Sequence, residues 1–130
     1  MSTRIQFIAQ TPVHRRQRIM PRIQCRDGIS FSAQATDETY AIPVGWKRGD
    51  MPHSDIGPWQ RLEVAFLSIE TPEEWRKYFV ENHWSAYKHH DHGDFGEGNE
   101  IIPGYAPVYS IPVDDLEQFV AQHGGEADPI

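Results

Sequence analysis

The stretch IQCRDGISFSAQA, residues 23–35, predicts the fold most directly. Around Asp27 and Gly28, polar residues alternate with an apolar set made up of Ile23, Cys25, Ile29, Phe31, Ala33 and Ala35. A period of two places side chains on alternate faces of a strand, and Asp-Gly is a preferred pair in a tight turn between antiparallel strands. The stretch therefore predicts a β-hairpin with Cys25 on its inward face.

Four neighbouring segments extend this pattern into a sheet. Residues 4–10 alternate as a strand would, and residues 40–44 predict a short strand. Residues 59–69 predict a longer strand, whose apolar face is formed by Leu62, Val64 and Phe66. Residues 105–111 predict a strand interrupted by Pro107, and proline favours the edge of a sheet because it cannot donate to the ladder. An edge strand there would allow a homodimer to form by pairing across a two-fold axis.

Two helices complete the predicted domain. Thr71, Pro72 and Glu74 match a capping box followed by a helix running to about residue 82. A second helix opens at Pro112, has one apolar face and stops at Gly124. We therefore expect an α+β fold, in which an antiparallel sheet of four to five strands carries two helices on one face.

The chain length of 130 residues fits one domain spanning residues 1–130. Within it we distinguish a basic N-terminal segment (1–22), a loop rich in His, Asp and Gly (83–104) and a frayed tail (125–130). No apolar run approaches the roughly 20 residues of a membrane span. The N-terminus lacks the apolar core of a secretory signal, and the single cysteine fits a reducing compartment. These features predict a cytoplasmic protein.

The net charge of −7 is unevenly distributed. Residues 1–26 contain six arginines and no acidic residue, whereas the rest of the chain carries a balance of −13. An acidic body repels the phosphate backbone, which argues against binding of duplex nucleic acid. The same charge favours a protein partner with a basic surface.

The stretch HWSAYKHHDHGDFGEGNE, residues 83–100, holds four of the seven histidines beside four acidic residues. Imidazole and carboxylate groups are common ligands of zinc and other transition metals. The candidate ligands are His89, His90, His92 and Asp94. Their spacing matches only the opening of the H-x-H-x-D-H motif of metallo-β-lactamase-like hydrolases, since Phe95 replaces the last histidine. The stretch also lacks the alternating oxygen ligands of a calcium loop. We interpret it first as an exposed acidic loop without a cofactor, and a metal-dependent enzyme is the alternative.

No other pattern predicts catalysis. Cys25 faces inward in the predicted hairpin, where thiols are usually inert. The sequence contains no nucleophile elbow, P-loop or dinucleotide fingerprint. His123 falls in the last turn of the second predicted helix, where an imidazolium interacts favourably with the carbonyl end. We therefore assign no catalytic residue.

Aromatic and basic residues in predicted loops suggest binding surfaces. Trp46 lies in the loop at residues 45–58, and Tyr87 lies in the His-rich stretch. Aromatic side chains on loops are typical hot spots of protein interfaces. A base stacked on Trp46 with phosphates held by a basic cluster would instead make a nucleotide-binding or nucleotide-sequestering module; that cluster is Arg15, Arg16 and Arg18.

Three segments of the chain resemble, in the same order, parts of small bacteriophage- and prophage-encoded accessory proteins. They are IQCRDGISFSAQA (23–35), GPWQRLEVAF (57–66) and IPVDDLEQFVAQHGG (111–125), roughly a third of the chain. The resemblance implies a protein that acts in the host bacterium by binding a host protein, for example to counter a defence system as anti-CRISPR inhibitors do. On this hypothesis the partner-binding residues are Trp46, Tyr87, Asp91, Asp94, Glu97 and Glu100.

Overall fold

The structure is a computed structural model that describes residues 3–36, 39–46, 57–80 and 107–127, together with the backbone of residues 95–96. These ranges contain two α-helices, α1 (Arg4–Gln10) and α2 (Val113–Gln122), and two 3₁₀ helices, Val13–Arg15 and Glu73–Tyr78. They also contain seven strands: β1 (Ile23–Gln24), β2 (Ser30–Gln34), β3 (Ile42–Pro43), β4 (Trp59–Ala65), β5 (Phe79–Val80), β6 (Phe95–Gly96) and β7 (Val108–Pro112).

The strands form an antiparallel sheet in the order β1-β2-β4-β7-β5-β6. β3 pairs with Trp59 and Arg61 of β4, on the side that β2 also uses, because β7 occupies the other side at Arg61. Helices α1 and α2 contact each other and both contact β4. The prediction of an α+β fold with an antiparallel sheet and helices packed against it is confirmed.

The predicted hairpin is present and its register is clear. Ile23 lies opposite Phe31, and both side chains are fully buried. The backbone N–H of Cys25 donates to the carbonyl of Ile29 over 2.7 Å. Gly28 has φ +98°, a conformation that glycine adopts without steric cost. The Asp-Gly pair therefore places the turn as the sequence indicated.

The main core lies between the sheet and the helices. An aromatic group forms its centre, with ring centroids 4.6 Å apart for Trp75 and Phe119 and 6.3 Å apart for Phe31 and Phe119. Each fully buried side chain of this size contributes about 1.5–3 kcal/mol to folding. Aliphatic side chains from both helices and three strands surround the rings: Ile5, Ile8, Ile23, Leu62, Val64, Ile111 and Leu116.

The prediction of a strand at residues 4–10 is wrong, because this segment is helix α1. Thr3 caps the helix, since its hydroxyl accepts from the N–H of Gln6 over 3.0 Å. Ile5, Ile8 and Ala9 are buried, and this spacing follows the helical period rather than the strand period. Ile5 and Ala9 would share one face in a strand as well as in a helix. The burial of Ile8 fits only the helical period.

The predicted helix at residues 71–82 is replaced by the 3₁₀ helix Glu73–Tyr78 and strand β5. Thr71 does not cap it; the Thr71 hydroxyl instead hydrogen bonds to the hydroxyl of Tyr109 over 2.9 Å. Phe79 pairs with Tyr109 of β7. The helix therefore ends early because the sheet takes up the backbone at Phe79.

Strand β7 is not an edge strand, contrary to prediction. Its Tyr109 lies opposite Val64 of β4 on one side and opposite Phe79 of β5 on the other. Pro107 precedes the strand, so it removes no hydrogen bond from the ladder. Both sides of β7 are therefore paired at Tyr109, and a homodimer stays a prediction.

Helix α2 begins after Pro112, as predicted, and buries Val113, Leu116, Phe119 and Val120. Gly124 follows the helix with φ +90°. Residues 125–127, predicted as part of a frayed tail, instead pair with β1. The N–H of Arg26 donates to the carbonyl of Gly125 over 2.9 Å, and the N–H of Ala127 donates to the carbonyl of Gln24 over 2.7 Å.

Of the helices in the described ranges, none has the length and apolar character needed to cross a membrane.

Candidate functional site

Most of the predicted site residues lie outside the described residues. This applies to the candidate metal ligands and to the acidic and aromatic partner-binding residues of the His-rich stretch: Tyr87, His89, His90, Asp91, His92, Asp94, Glu97 and Glu100. The remaining described part of the chain contains no group of three or more His, Cys, Asp or Glu side chains able to hold a metal. The metal hypothesis stays a prediction, which elemental analysis of untagged protein tests.

Trp46 and the basic cluster are described, and the structure gives two of these residues packing roles. Trp46 is half-buried and packs against the main core. The Arg16 guanidinium donates to the carbonyls of Thr11 (3.2 Å), Gln17 (3.1 Å) and Ala35, and its burial lowers the pKa of Arg16. These bonds tie the N-terminal segment to the end of β2.

Cys25 is an inert core residue in this arrangement. Its side chain is buried in the hairpin next to the bridge with Glu126. Burial, and secondarily the charges of Asp27 and Glu126, raises the pKa of the Cys25 thiol to about 11. A thiol with this pKa is protonated at neutral pH, so it is a poor nucleophile and a poor metal ligand.

His123 and Asp27 form a hydrogen-bonded pair that links two elements of the fold. The His123 Nδ1 lies 2.6 Å from Asp27 Oδ2, and Asp27 Oδ1 accepts from the N–H of Ile29 over 3.1 Å. The hydrogen bond from Ile29, followed by His123, lowers the pKa of Asp27. The pair joins the hairpin turn to the C-terminal end of α2.

A second polar cluster connects β4, the 3₁₀ helix and α2. The Tyr78 hydroxyl donates to Asp115 Oδ2, and the Arg61 guanidinium lies 5.3 Å from the centre of the Tyr78 ring. Arg61 also donates to the carbonyl of Ser110 over 3.1 Å. Burial, followed by the bond to Asp115, raises the pKa of Tyr78 to about 12. These contacts connect neighbouring elements and leave Tyr78 protonated.

Glu63 is half-buried and lies on the face of the sheet opposite Leu62 and Val64. Its Oε2 accepts from the N–H of Tyr40 over 2.9 Å, and Ser110 Oγ donates to the carbonyl of Tyr40 over 2.6 Å. Burial raises the pKa of Glu63, and the hydrogen bond from Tyr40 opposes that shift only in part. The carboxyl therefore anchors the segment before β3.

The most unusual exposed feature follows β4. Phe66 has φ +55°, a left-handed backbone that bulky residues rarely adopt, and 61% of its surface is exposed. It was predicted to face the core with Leu62 and Val64, but the left-handed turn directs the ring into solvent. Ile69, three residues later, is 42% exposed.

Hydrogen bonds to the hairpin hold this turn in place. The Arg22 guanidinium donates to the carbonyl of Phe66 over 2.5 Å. The N–H of Ser68 donates to the carbonyl of Ser30, and the N–H of Ser30 donates to Ser68 Oγ, each over 2.9 Å. Leu67 packs against the core. Phe66 is therefore exposed on a segment that hydrogen bonds hold in place.

An open cleft lies directly after this segment. It encloses about 430 Å³ between the 3₁₀ helix Glu73–Tyr78 and β7. We call it the 70–109 cleft, and the described residues that line it are Glu70, Thr71, Glu73, Arg76, Phe79, Pro107 and Tyr109. We use the name 66–73 surface for the exposed residues Phe66, Ile69, Glu70 and Glu73, which follow one another along this part of the chain. Glu70 and Glu73 are exposed and belong to both.

Sequence reasoning missed this surface because strand alternation assigned Phe66 to the core. The available signal was the run Ala65-Phe66-Leu67, in which three consecutive apolar residues break the alternation. Ala65 and Leu67 fall on one face of a regular strand and Phe66 falls on the other, so the run does not fit a strand with a single apolar face. This irregularity was the signal that the strand ends near Ala65.

No family model matches the chain, and neither the curated proteins nor the solved structures compared with it give a match. The resemblance of its three segments to phage-encoded proteins stays a prediction.

Proposed function

We propose that this chain is a non-enzymatic interaction protein of the bacteriophage type, which binds and inhibits a host protein with a basic surface in the cytoplasm of the host bacterium. Inhibition of a defence system, as by anti-CRISPR proteins, is the setting that the sequence resemblance implies. The observation that supports this proposal best is the exposed, left-handed Phe66 on a hydrogen-bonded segment.

The left-handed backbone at Phe66 is energetically unfavourable, and the surrounding contacts must offset this cost. A left-handed non-glycine residue costs about 1–2 kcal/mol, and such residues concentrate at binding and catalytic sites. Exposure of the phenyl ring gives up most of the roughly 1.5–3 kcal/mol that burial of this side chain would contribute. A partner that covers the ring would recover this burial, which is how aromatic hot spots stabilise interfaces.

The charge of the chain indicates the kind of partner. Residues 27–130 carry a balance of −13, and Glu70 and Glu73, which follow Phe66 along the chain, are exposed. Arg22, whose guanidinium donates to the Phe66 carbonyl, is a basic exception. Complementary charges speed association and exclude partners of the same sign. A basic protein surface with an apolar recess for the ring fits this combination.

Substitution of Phe66 by glycine tests the proposal. Phe66→Gly removes the ring and also relieves the left-handed strain, so the fold is retained. Val44→Ser is the matched control, because Val44 is also 61% exposed but belongs to a different turn. Immobilised wild-type and variant proteins are used to capture proteins from lysate of the host bacterium, and the captured protein is identified and purified.

We expect the wild type and Val44→Ser to bind the purified partner with equal affinity and to inhibit its activity. We expect Phe66→Gly to bind at least about tenfold more weakly, since the loss of a hot-spot aromatic costs more than about 1.4 kcal/mol. Equal binding by Phe66→Gly would show that the 66–73 surface does not contribute to binding of the partner. Binding without loss of the partner's activity would contradict an inhibitory function.

A further inference from the structure

We infer that residues 124–127 form a strap that opens as one unit and uncovers the outer edge of β1 while the rest of the domain stays folded. We call these four residues the strap. The inference is independent of the proposed function. It follows from a hinge at one end of the strap and from contacts that converge on three consecutive residues after the hinge.

The hinge directly follows α2. Gly124 has φ +90° and Gly125 has φ +85°, so two left-handed residues in succession turn the chain back along β1. Glycine adopts this backbone at no steric cost and has more alternative conformations than any other residue. Before the hinge, the hydrogen-bonded pair of His123 and Asp27 holds the end of α2 to the hairpin turn. Movement of the chain is therefore confined to the residues that follow.

The strap covers the outer edge of β1 with a short ladder. The N–H of Arg26 donates to the carbonyl of Gly125 over 2.9 Å, and the N–H of Ala127 donates to the carbonyl of Gln24 over 2.7 Å. An isolated antiparallel bridge joins the two residues between them. β4 and β7, by contrast, pair over five opposed positions. The strap is therefore held to the sheet by far fewer bonds than the central strands.

The side chain of Glu126 extends the same contact to the start of α1. Its Oε1 accepts from the N–H of Arg4 over 2.8 Å. The first N–H groups of a helix have no acceptor within the helix itself. The N–H groups of Arg4, Arg26 and Ala127 therefore all depend on contacts with the strap, although Arg4 and Ala127 lie at opposite ends of the described chain.

Opening of the strap breaks these bonds and exposes little apolar surface. The strap has the sequence Gly-Gly-Glu-Ala, which contains no large apolar side chain. Segments with few buried apolar contacts open at a lower free energy than the whole domain unfolds. The open state leaves the carbonyl of Gln24 and the N–H of Arg26 unpaired, and such edge groups are those to which a strand of another chain adds.

Native-state hydrogen exchange of the full chain tests the inference. Amide exchange is followed by NMR at a series of urea concentrations below the unfolding transition. We expect the amides of Arg4, Arg26 and Ala127 to share one opening free energy that changes little with urea, since opening exposes little surface. The amide of Cys25 donates to Ile29 within the hairpin, so it should exchange more slowly and depend more steeply on urea.

Glu126→Gln tests whether the three amides open together. The N–H of Arg4 bonds to the Glu126 side chain, whereas those of Arg26 and Ala127 bond to backbone carbonyls. If the strap is one unit, Glu126→Gln should speed the exchange of all three about fivefold, which corresponds to about 1 kcal/mol. Faster exchange of Arg4 alone would overturn the inference, because the helix cap and the sheet edge would then open separately.

Two substitutions of Gly125 test the hinge. A Cβ at this position meets nothing within 4 Å, so the variants differ mainly in how well they tolerate the left-handed backbone. Gly125→Val should speed exchange of the three amides about tenfold, because a β-branched residue is strained there. Asparagine tolerates this backbone, so Gly125→Asn is the matched control and should change the rates less than about threefold.

Two results would contradict the strap directly. Equal exchange in Gly125→Val and Gly125→Asn would show that the glycine pair is not a hinge. Equal rates and urea dependence for Arg26 and Cys25 in the wild type would show that the strap opens only when the whole domain unfolds. Neither result bears on the binding of a partner at Phe66, so failure of this inference is distinct from failure of the proposed function.

Discussion

The buried carboxylate of Glu126 should control the stability of the N-terminal helix. Glu126 is 5% exposed, and its Oε1 accepts from the N–H of Arg4 over 2.8 Å. Its Oε2 lies 3.4 Å from the N–H of Ile5. These groups are among the first N–H groups of α1, which have no partner within the helix. We therefore predict that Glu126→Ala destabilises the whole domain.

The distances set the expected size of the effect. The bond to Arg4 has ideal length and a charged acceptor, which is worth about 1.5–3 kcal/mol, whereas a contact of 3.4 Å adds little. Glu126→Ala should therefore cost about 2 kcal/mol. Glu126→Gln keeps one acceptor oxygen but loses the charge at the helix start, which is worth about 0.3–1 kcal/mol. Its cost should be about 1 kcal/mol.

Thermal unfolding followed by circular dichroism measures both variants. For 130 residues, 1 kcal/mol corresponds to a shift of about 4 °C in Tm. We expect Tm to fall by about 8 °C for Glu126→Ala and by about 4 °C for Glu126→Gln. Glu74→Gln, which removes an exposed charge, should stay within about 2 °C of the wild type. A loss for Glu126→Ala no larger than that of this control would refute the capping role.

Three further predictions concern titratable groups. Because burial raises the pKa of Cys25 to about 11, native protein at pH 8 should react with an aromatic disulfide reagent only as fast as it unfolds; rapid stoichiometric reaction would contradict this. Asp27 has a lowered pKa, so its contribution to stability is complete above the ordinary carboxyl range and is lost as pH falls through the lowered pKa. The Tm of Asp27→Asn should therefore vary less with pH below about 4 than the Tm of the wild type. Parallel curves of Tm against pH would show that the pair of Asp27 and His123 does not cause this pH dependence. Glu63 has a raised pKa, so its burial costs stability as pH rises through the carboxyl range. Glu63→Gln should raise Tm at pH 7 but not at about pH 3, where the native carboxyl is also neutral, and a Tm gain of equal size at both values would show that charge is not the cause.

The elements that the sequence predicted well are those defined by local residues. The Asp27-Gly28 turn, the alternation in β4 and the face of α2 each depend on side chains within about ten positions of one another. Pro112 and Gly124 mark the ends of α2 through their own backbone preferences. The prediction of these elements did not depend on any residue far away in the sequence.

The elements that the sequence predicted wrongly depend on residues far along the chain. Helix α1 receives part of its cap from Glu126, more than a hundred positions away. The helix expected from Thr71 is cut short because Phe79 pairs with Tyr109. Phe66 is exposed because Arg22 and the hairpin hold its backbone in a left-handed turn. Local alternation carries no information about such partners.

The central position of β7 affects how the protein can fold while it is being synthesised. β7 is the link in the sheet between β4 and the β5-β6 pair, yet it is the last of the described strands along the chain. During translation, β5 therefore leaves the ribosome before the strand that will join it to β4 exists. Contacts between residues this far apart in sequence form slowly, and unpaired strand edges are prone to aggregate meanwhile. A nascent chain stalled before residue 108 would expose the edges of both β4 and β5, and so offer two surfaces to a chaperone.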